Sequence, residues 1–189
     1  MLHFNITRRY MAKSFGGYMK KIVTIFFLIS ISLFITSCAG SSVSLVGGKN
    51  PGHPVNVIAI NPNGGILGDA IAIELSRYDI NVVDPSQFTN LVARLNLNEF
   101  EIGSPQNLIK LKDEGIDGYL VVKVASGYDG LPQSASVRLN STYNGQLIAG
   151  VSWQNGYGGQ AGSMADRMMR ADVSTAAKEI VSELIKNIK

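Results

Sequence analysis

Cysteine is nearly absent, with one residue, Cys38, in a chain of 189. A lone thiol excludes an internal disulfide, a Cys-x-x-Cys redox pair and a multi-cysteine metal centre. Histidine is almost as scarce, and beyond Cys38 the only one is His53, in a stretch dense in Gly and Pro. A Ser-His-acid triad, a Cys-His pair or a His-containing zinc site would need that ring held still, which a flexible linker cannot do. The expectation is a protein that is not an enzyme, with no metal and no cofactor. Long apolar runs are also few. The single one, Ile22 to Ile35, falls short of the roughly 20 residues of a spanning helix. No Gly-Lys-Ser/Thr follows a glycine-rich turn, which excludes a P-loop, and no internal repeat is visible. Positive charge has no surplus where it would matter. Five of the 17 basic residues (Arg8, Arg9, Lys13, Lys20, Lys21) precede Cys38, leaving 12 against 14 acidic ones. No polycationic surface for nucleic acid survives removal of the leader.

What is present begins with that apolar run. Met19, Lys20 and Lys21 form a positively charged n-region, the run is of signal-peptide length, and small residues follow it. Ile35-Thr36-Ser37-Cys38 resembles the lipobox of bacterial lipoproteins, in which the Cys sulfur is lipidated and Cys becomes the first mature residue. Cys38 is accordingly read as the lipid attachment point, against a cleaved soluble secretory protein or an uncleaved membrane anchor. Residues 1–37 are then signal peptide, with Met19 as an alternative start, and Arg8-Arg9 stands too far from the apolar run for a twin-arginine signal. Ala39 after the Cys resembles the sorting pattern that sends lipoproteins to the outer membrane, since Asp there retains them at the inner one. Several acyl chains, at about 0.8 kcal/mol per buried methylene, would make the attachment effectively permanent.

Residues 38–54 read as the lipidated Cys and a flexible Gly/Ser/Pro tether, reaching about 50 Å at full stretch. Residues 55–189 read as one periplasmic domain, large enough to bury about two-thirds of its unfolded surface without staples. Val55 to Ile60 predicts a strand buried on both faces, and Ile66 to Tyr78 a helix. Ile80 to Val83 is a short strand. Asp84-Pro85 opens a second helix, with Asp84 capping free amides and Pro85 in the first turn. Ser104-Pro105 opens a third that Gly115 ends, and Gly118 to Val124 is a further strand. Ala135 to Trp153 predicts a hairpin. A three-residue loop, Tyr143-Asn144-Gly145, sets Leu139 opposite Ala149, Val137 opposite Val151 and Ala135 opposite Trp153, giving one apolar face; a slip of one residue would destroy it. Ser163-x-x-Asp166 predicts the start of the last and longest helix, striped by Val173, Ala177, Ile180, Val181, Leu184 and Ile188. The fold class is α+β with an α/β-like start, a mixed sheet of about five strands with helices packed on it and a long C-terminal helix.

Three places invite a functional reading. Asn63-Gly64-Gly65-Ile66-Leu67-Gly68 follows the first strand like a dinucleotide fingerprint with two of its three glycines, and Asp84 stands about twenty residues on. Gly64, Gly65, Gly68 and Asp84 could thus form a ligand turn; alternatively the glycines serve a tight strand-to-helix turn and Asp84 a helix cap. Tyr157, Arg167 and Arg170 are candidates for partner contact, being of residue types favoured at interfaces. Met164 and Met168, at helical spacing, read as core. Glu99 and Glu101 flank Phe100 but nothing fixes them as a facing carboxylate pair, so they read as a solvated connection.

The order of short motifs carries one more inference. Val57-Ile58-Ala59-Ile60, Leu67-Gly68-Asp69-Ala70 to Glu74-Leu75, Val82-Val83-Asp84, Gly115-Ile116-Asp117-Gly118-Tyr119-Leu120-Val121-Val122 and Asn144-Gly145-Gln146-Leu147-Ile148 follow the sequence seen in the CsgG/LpoB-like lipoproteins. These comprise the curli secretion-channel lipoprotein, the lipoprotein activator of penicillin-binding proteins, and relatives such as the TolB amino-terminal domain. The resemblance spans about 130 residues. It implies an α/β periplasmic domain without catalytic residues that works through envelope protein partners, either a penicillin-binding protein or a secretion or assembly component. Two departures bear on which. The connection Ser126 to Ser134 is too short for the long hairpins from which the curli channel builds its pore, and the tether is shorter than that of the penicillin-binding-protein activator. The alternative from another class is a periplasmic domain that binds a small ligand or nucleotide at the Gly64-Gly65-Gly68 turn.

Overall fold

Two parallel strands rich in branched residues set the frame. In the computed structural model, β2 (Val57–Ile60) lies beside β4 (Gly118–Ser126) with Ile58 opposite Gly118 and Ile60 opposite Leu120. The structure describes residues 40–98, 101–127, 129–160 and 162–188; the expected signal peptide, Cys38 and Glu99 lie outside them. Ile58, Ala59 and Ile60 are fully buried, as expected for a strand covered on both faces. Ile58 and Ile60 join the core beneath α1 (Gly65–Ser76) and α5 (Val173–Ile188), with Leu75, Leu120, Val137, Ile180 and Leu184. Ala59 points the other way, to Phe88 and Val92 of α2 (Pro85–Arg94), Leu108 and Leu111 of α3 (Pro105–Asp113), and Tyr119. With β3 (Asn81–Val83), β5 (Pro132–Ser141), β6 (Leu147–Gln154) and β1 (Ser42–Leu45), the sheet runs β1-β6-β5-β4-β2-β3. The class is α+β with a mixed sheet, as expected, carrying six strands instead of five.

The sixth strand comes from the segment expected to be tether. Ser42–Leu45 pairs antiparallel with the far edge of β6, Ser42 opposite Gln154 and Leu45 opposite Val151. The alternation Ser-Val-Ser-Leu lets Val43 pack on the core, and an unpaired β6 edge supplies the hydrogen-bonding partner. Just before the strand, the Ser41 hydroxyl donates to Glu179 Oε1 at 2.7 Å. Flexible tether therefore does not describe this segment.

Capping follows the sequence closely at α2, where Asp84 Oδ1 accepts from the Gln87 amide at 2.9 Å and Pro85 occupies the first turn. At α3 the proline is in place, but Ser104 makes no side-chain cap bond. The hairpin pairs Leu139 with Ala149, Val137 with Val151 and Ala135 with Trp153, the register that burial demands. Its loop is one residue longer than expected. The Ser141 amide bonds Gln146 O, leaving Thr142 to Gly145 as the turn, and a bulge at Leu139/Asn140 absorbs the extra residue. The bulge lets adjacent Ile148 and Ala149 both be buried. Gly145 has a positive φ, 72°, a conformation that glycine adopts without steric cost.

The C-terminal helix is also corrected. Ser163 caps a short helix, α4 (Met164–Met169), and the chain turns extended at Arg170 before α5 starts. Two interactions divide it, one local and one between segments. Asp172 Oδ1 accepts from the Thr175 amide at 2.7 Å, a fresh N-cap. Asn155 clamps Ala171, taking its N–H on Oδ1 and giving Nδ2–H to its carbonyl. The stripe on α5 stands as expected, with Ala177, Ile180, Val181 and Leu184 buried. Trimming a fully buried side chain of this core, as in Leu139→Ala, is expected to lower the unfolding free energy by about 2–5 kcal/mol. Met168→Ala on α4 is expected to stay within about 0.5 kcal/mol, both read from urea unfolding.

Candidate functional site

The turn after β2 is where the glycines converge. Asn61 ends the strand, and its Oδ1 accepts from the Asn63 amide at 2.8 Å, opening a single 3-10 turn over Pro62–Gly64 that leads into α1. The Gly64 amide bonds Asn61 O and the Gly65 amide bonds Pro62 O. The amides of residues 63, 64 and 65, which would cradle a phosphate in a dinucleotide turn, are thus committed to one another's loop. Gly64 is required by contact, since a Cβ there would stand 2.9 Å from Val122 Cβ. Gly65 is required by conformation, with φ at 54° and ψ at −148°. Gly68 faces Ile60, with a Cβ position 4.0 Å from its Cγ2, where the helix lies on the strand. A cavity of about 230 Å³ opens beside Gly64, Gly65 and Ile66, against Val124, Pro132 and Val173. Asp84 does not line it and keeps its capping bond to Gln87. The four residues are not brought together as one ligand site.

At the opposite end of the sheet, His53 is held more firmly than a linker residue. Its Nδ1 lies 3.1 Å from Pro54 O and its Nε2 3.0 Å from Ser141 Oγ, with its ring centroid 3.9 Å from that of Tyr143. A carbonyl can only accept, so Nδ1 carries the proton and Nε2 accepts from the Ser141 hydroxyl. Ser141 Oγ in turn accepts from the Tyr143 amide. The acid that would complete a triad is engaged elsewhere: Asp117 Oδ2 accepts from the amides of Asn56 and Val57, and Oδ1 faces the Tyr143 hydroxyl at 3.3 Å. Ser141 is only 1 % exposed, so a carbonyl carbon has no approach to its Oγ. The pair fastens the chain before β2 to the hairpin turn. The sequence held no signal for it, because the contact spans 88 residues.

The partner-contact candidates occupy the end of the sheet where β4 and β6 finish. Tyr157 is 69 % exposed in the loop after β6, and Arg167 is exposed on α4. Arg170 is different. Its side chain is only 7 % exposed, with Nη1 2.8 Å from Asp129 and Nη2 2.9 Å from Asp166, so it joins α4 to the β4–β5 turn instead of reaching outward. Asp166 is itself 1 % exposed and was not singled out for this role, although Ser163-x-x-Asp166 and the spacing to Arg170 both lie open in the sequence. Its carboxylate accepts from the Gly162 amide at 2.9 Å and from Arg170 Nε at 3.1 Å. Fixing α4 in this way turns Met164 and Met168 outward, 81 % and 80 % exposed, against the expectation that they are core. Glu101 is an exposed residue of the connection before α3, as expected.

No protein-family model matches this chain, and no curated protein does. Among solved structures it is similar to the PelC dodecamer from Paraburkholderia phytofirmans, at 13 % identity and a TM-score of 0.42, covering 76 % of this chain and 96 % of that one. It is also similar to lipoprotein GNA1162 from Neisseria meningitidis, at 21 % identity and a TM-score of 0.43, covering 60 % of this chain and 89 % of that one. A likeness of this degree assigns no family.

The Asp166 carboxyl is held below the usual carboxylate range, first by the Gly162 amide; burial pushes upward, and the hydrogen bond and charge of Arg170 help to keep the net direction downward. A carboxylate depressed in the folded state stabilises it above the unfolded value, about pH 4, and that contribution is lost as pH falls through the folded value. The midpoint of urea unfolding should therefore drop below about pH 4 in the native protein. In Asp166→Asn the midpoint should be lower at neutral pH and its decline on acidification shallower.

Proposed function

We propose that the mature chain is an outer-membrane lipoprotein attached through Cys38, whose periplasmic domain acts as a non-enzymatic adaptor in envelope assembly. The observation that carries this is the order Lys20-Lys21, the apolar run and Thr36-Ser37-Cys38. The way the domain uses its polar groups favours the same reading. Ser141 is enclosed by His53 and Tyr143, the amides of the glycine turn close on themselves, and Arg170 is absorbed by two carboxylates. What such a domain offers a partner is surface, with Ile73 and Ile109 among the exposed residues. The partner class is that implied by the CsgG/LpoB-like resemblance, a penicillin-binding protein or a secretion or assembly component.

The start of β1 at Ser42 bears on which partners are within range. Only residues 39–41 separate Cys38 from the sheet, a span of roughly 10–14 Å at full extension. A domain so closely held works on partners in or beside its own membrane. Reach to a synthase across the periplasm is disfavoured further than the 39–54 tether length already implied.

Labelled palmitate is expected to enter the wild-type protein and not Cys38→Ser, which should also leave the outer-membrane fraction; lipid-free processing of the wild type would overturn the anchor. Photo-crosslinkers at Ile73 and Ile109, exposed on α1 and α3, are expected in cells to recover a discrete set of envelope proteins. A second reading, a small-ligand or nucleotide site at Gly64, Gly65 and Gly68, rests on the cavity beside the turn, which is smaller than the roughly 300–1,000 Å³ usual for ligand pockets. It predicts a rise in melting temperature with a nucleotide or sugar phosphate that Gly65→Val removes.

A further inference from the structure

We infer that the end of the domain formed by Ile66, Tyr157, Met164, Met168 and Arg167 lies on the lipid bilayer surface, a second membrane contact beyond the anchor itself. The inference rests on the proposed lipidation of Cys38. The strand directions supply the geometry. Because β1 runs antiparallel to β6 with Ser42 opposite Gln154, the chain enters the domain at the end where β6 leaves the sheet. Tyr157 follows Gln154 by three residues. Gly158, next to it, lies on the backbone of α4, where an added Cβ would stand 2.4 Å from Ala165 O. That close approach sets the Tyr157 loop against the helix bearing Met164 and Met168. Ile66 belongs to the same end: it lines a cavity with Ser126, Gly130 and Pro132, at the finish of β4 and the start of β5.

Four of the nine large apolar side chains that stand exposed among the described residues gather here: Ile66 at 74 %, Tyr157, Met164 and Met168. On α4, Met164 and Met168 are one turn apart on the outer side, while Asp166 and Arg170 hold the inner side down. The charges are arranged to suit a bilayer. Asp129 and Asp166 are both paired with Arg170, and Asp172 caps α5. Arg167 is exposed and makes no ion pair among the described residues, leaving a cation for lipid phosphate. Methionine and isoleucine with a tyrosine and an arginine are the amphipathic mixture that settles at a membrane interface.

Chain length selects lipid over other occupants. Two peptide steps separate Gly40 from Cys38, at most about 7 Å. The polar layer of one leaflet is itself only about 5–8 Å deep, the difference between the hydrocarbon core and the whole bilayer. A domain whose entry point is that close to the acyl chains brings the side chains around it to headgroup depth. A protein partner of this face would first have to displace lipid.

The test uses the full mature lipoprotein in vesicles of phosphatidylethanolamine and phosphatidylglycerol. Acylation occupies the sulfur of Cys38, so a cysteine introduced at one further position is the only free thiol. An environment-sensitive fluorophore on Met168→Cys is expected to emit blue-shifted light and to be quenched by nitroxide-bearing lipids several-fold more than the same fluorophore on Asn144→Cys, in the hairpin turn at the other end of the sheet. The double variant Met164→Asp/Met168→Asp, changed only at exposed sites, should still float with vesicles but lose the quenching of a probe at Tyr157→Cys. Flotation reports the anchor separately. Protein that fails to float overturns the lipidation reading and this inference with it. Protein that floats with water-like emission at position 168, or that is shielded there only after envelope proteins are added, overturns this inference alone.

Discussion

Burial of β2 and β4 on both faces is the constraint from which the rest follows. Ile58 and Ile60 need cover on one side, Ala59 and Tyr119 on the other, and a parallel pair cannot be joined by a hairpin. The connection between them must therefore travel, and in travelling it supplies α1, β3, α2 and α3. Helices on both faces then leave β5 and β6 to extend the sheet on the side where α5 can cover them. Trp153 shows how tightly that cover is coupled: its ring is 1 % exposed and its Nε1–H donates to Glu179 Oε2 of α5 at 2.6 Å. Glu179 also accepts from Ser41. One carboxylate thus joins the sheet, the last helix and the chain entering the domain.

The two ends of the sheet differ in how they use polar groups. At the hairpin-turn end, His53, Ser141, Tyr143 and Asp117 interlock, with the Lys112 ammonium 4.7 Å from the Tyr143 ring centre. These contacts join segments far apart in sequence. At the other end, Asp166, Arg170 and Asp129 bind α4 to the β4–β5 turn while apolar side chains face outward. Chemistry that could have been catalytic at the first end is consumed in fastening, and the second end is left as exposed surface.

Much of this was visible in the residues themselves, and the failures share a cause. The Leu139–Ala149 register was recoverable because alternation admits only one apolar face, and the α2 cap because Asp84-Pro85 is a local signal. Local sequence misleads where a distant partner decides the outcome. Ser-Val-Ser-Leu at 42–45 is too short and polar to predict as a strand, and becomes one because β6 offers an open edge more than a hundred residues away. Met164 and Met168 have helical spacing, but spacing cannot say which side of a helix is pinned. Asp166 and Arg170 decided it, putting charge inside and methionine outside. The break between α4 and α5 depends on Asn155 gripping Ala171, again a contact between segments.

The four-residue pairing of β1 with β6 also determines how the domain bears load. With Cys38 acylated as proposed, a pull on the anchor directed along β1 would enter at Gly40 and load the ladder bonds together in shear instead of unzipping them one after another. A short edge strand loaded this way acts as a clasp, and the Ser41–Glu179 bond adds a catch at the point of entry. The same carboxylate holds the Trp153 indole, so a pull at Ser41 would be shared with β6 and α5 through Glu179.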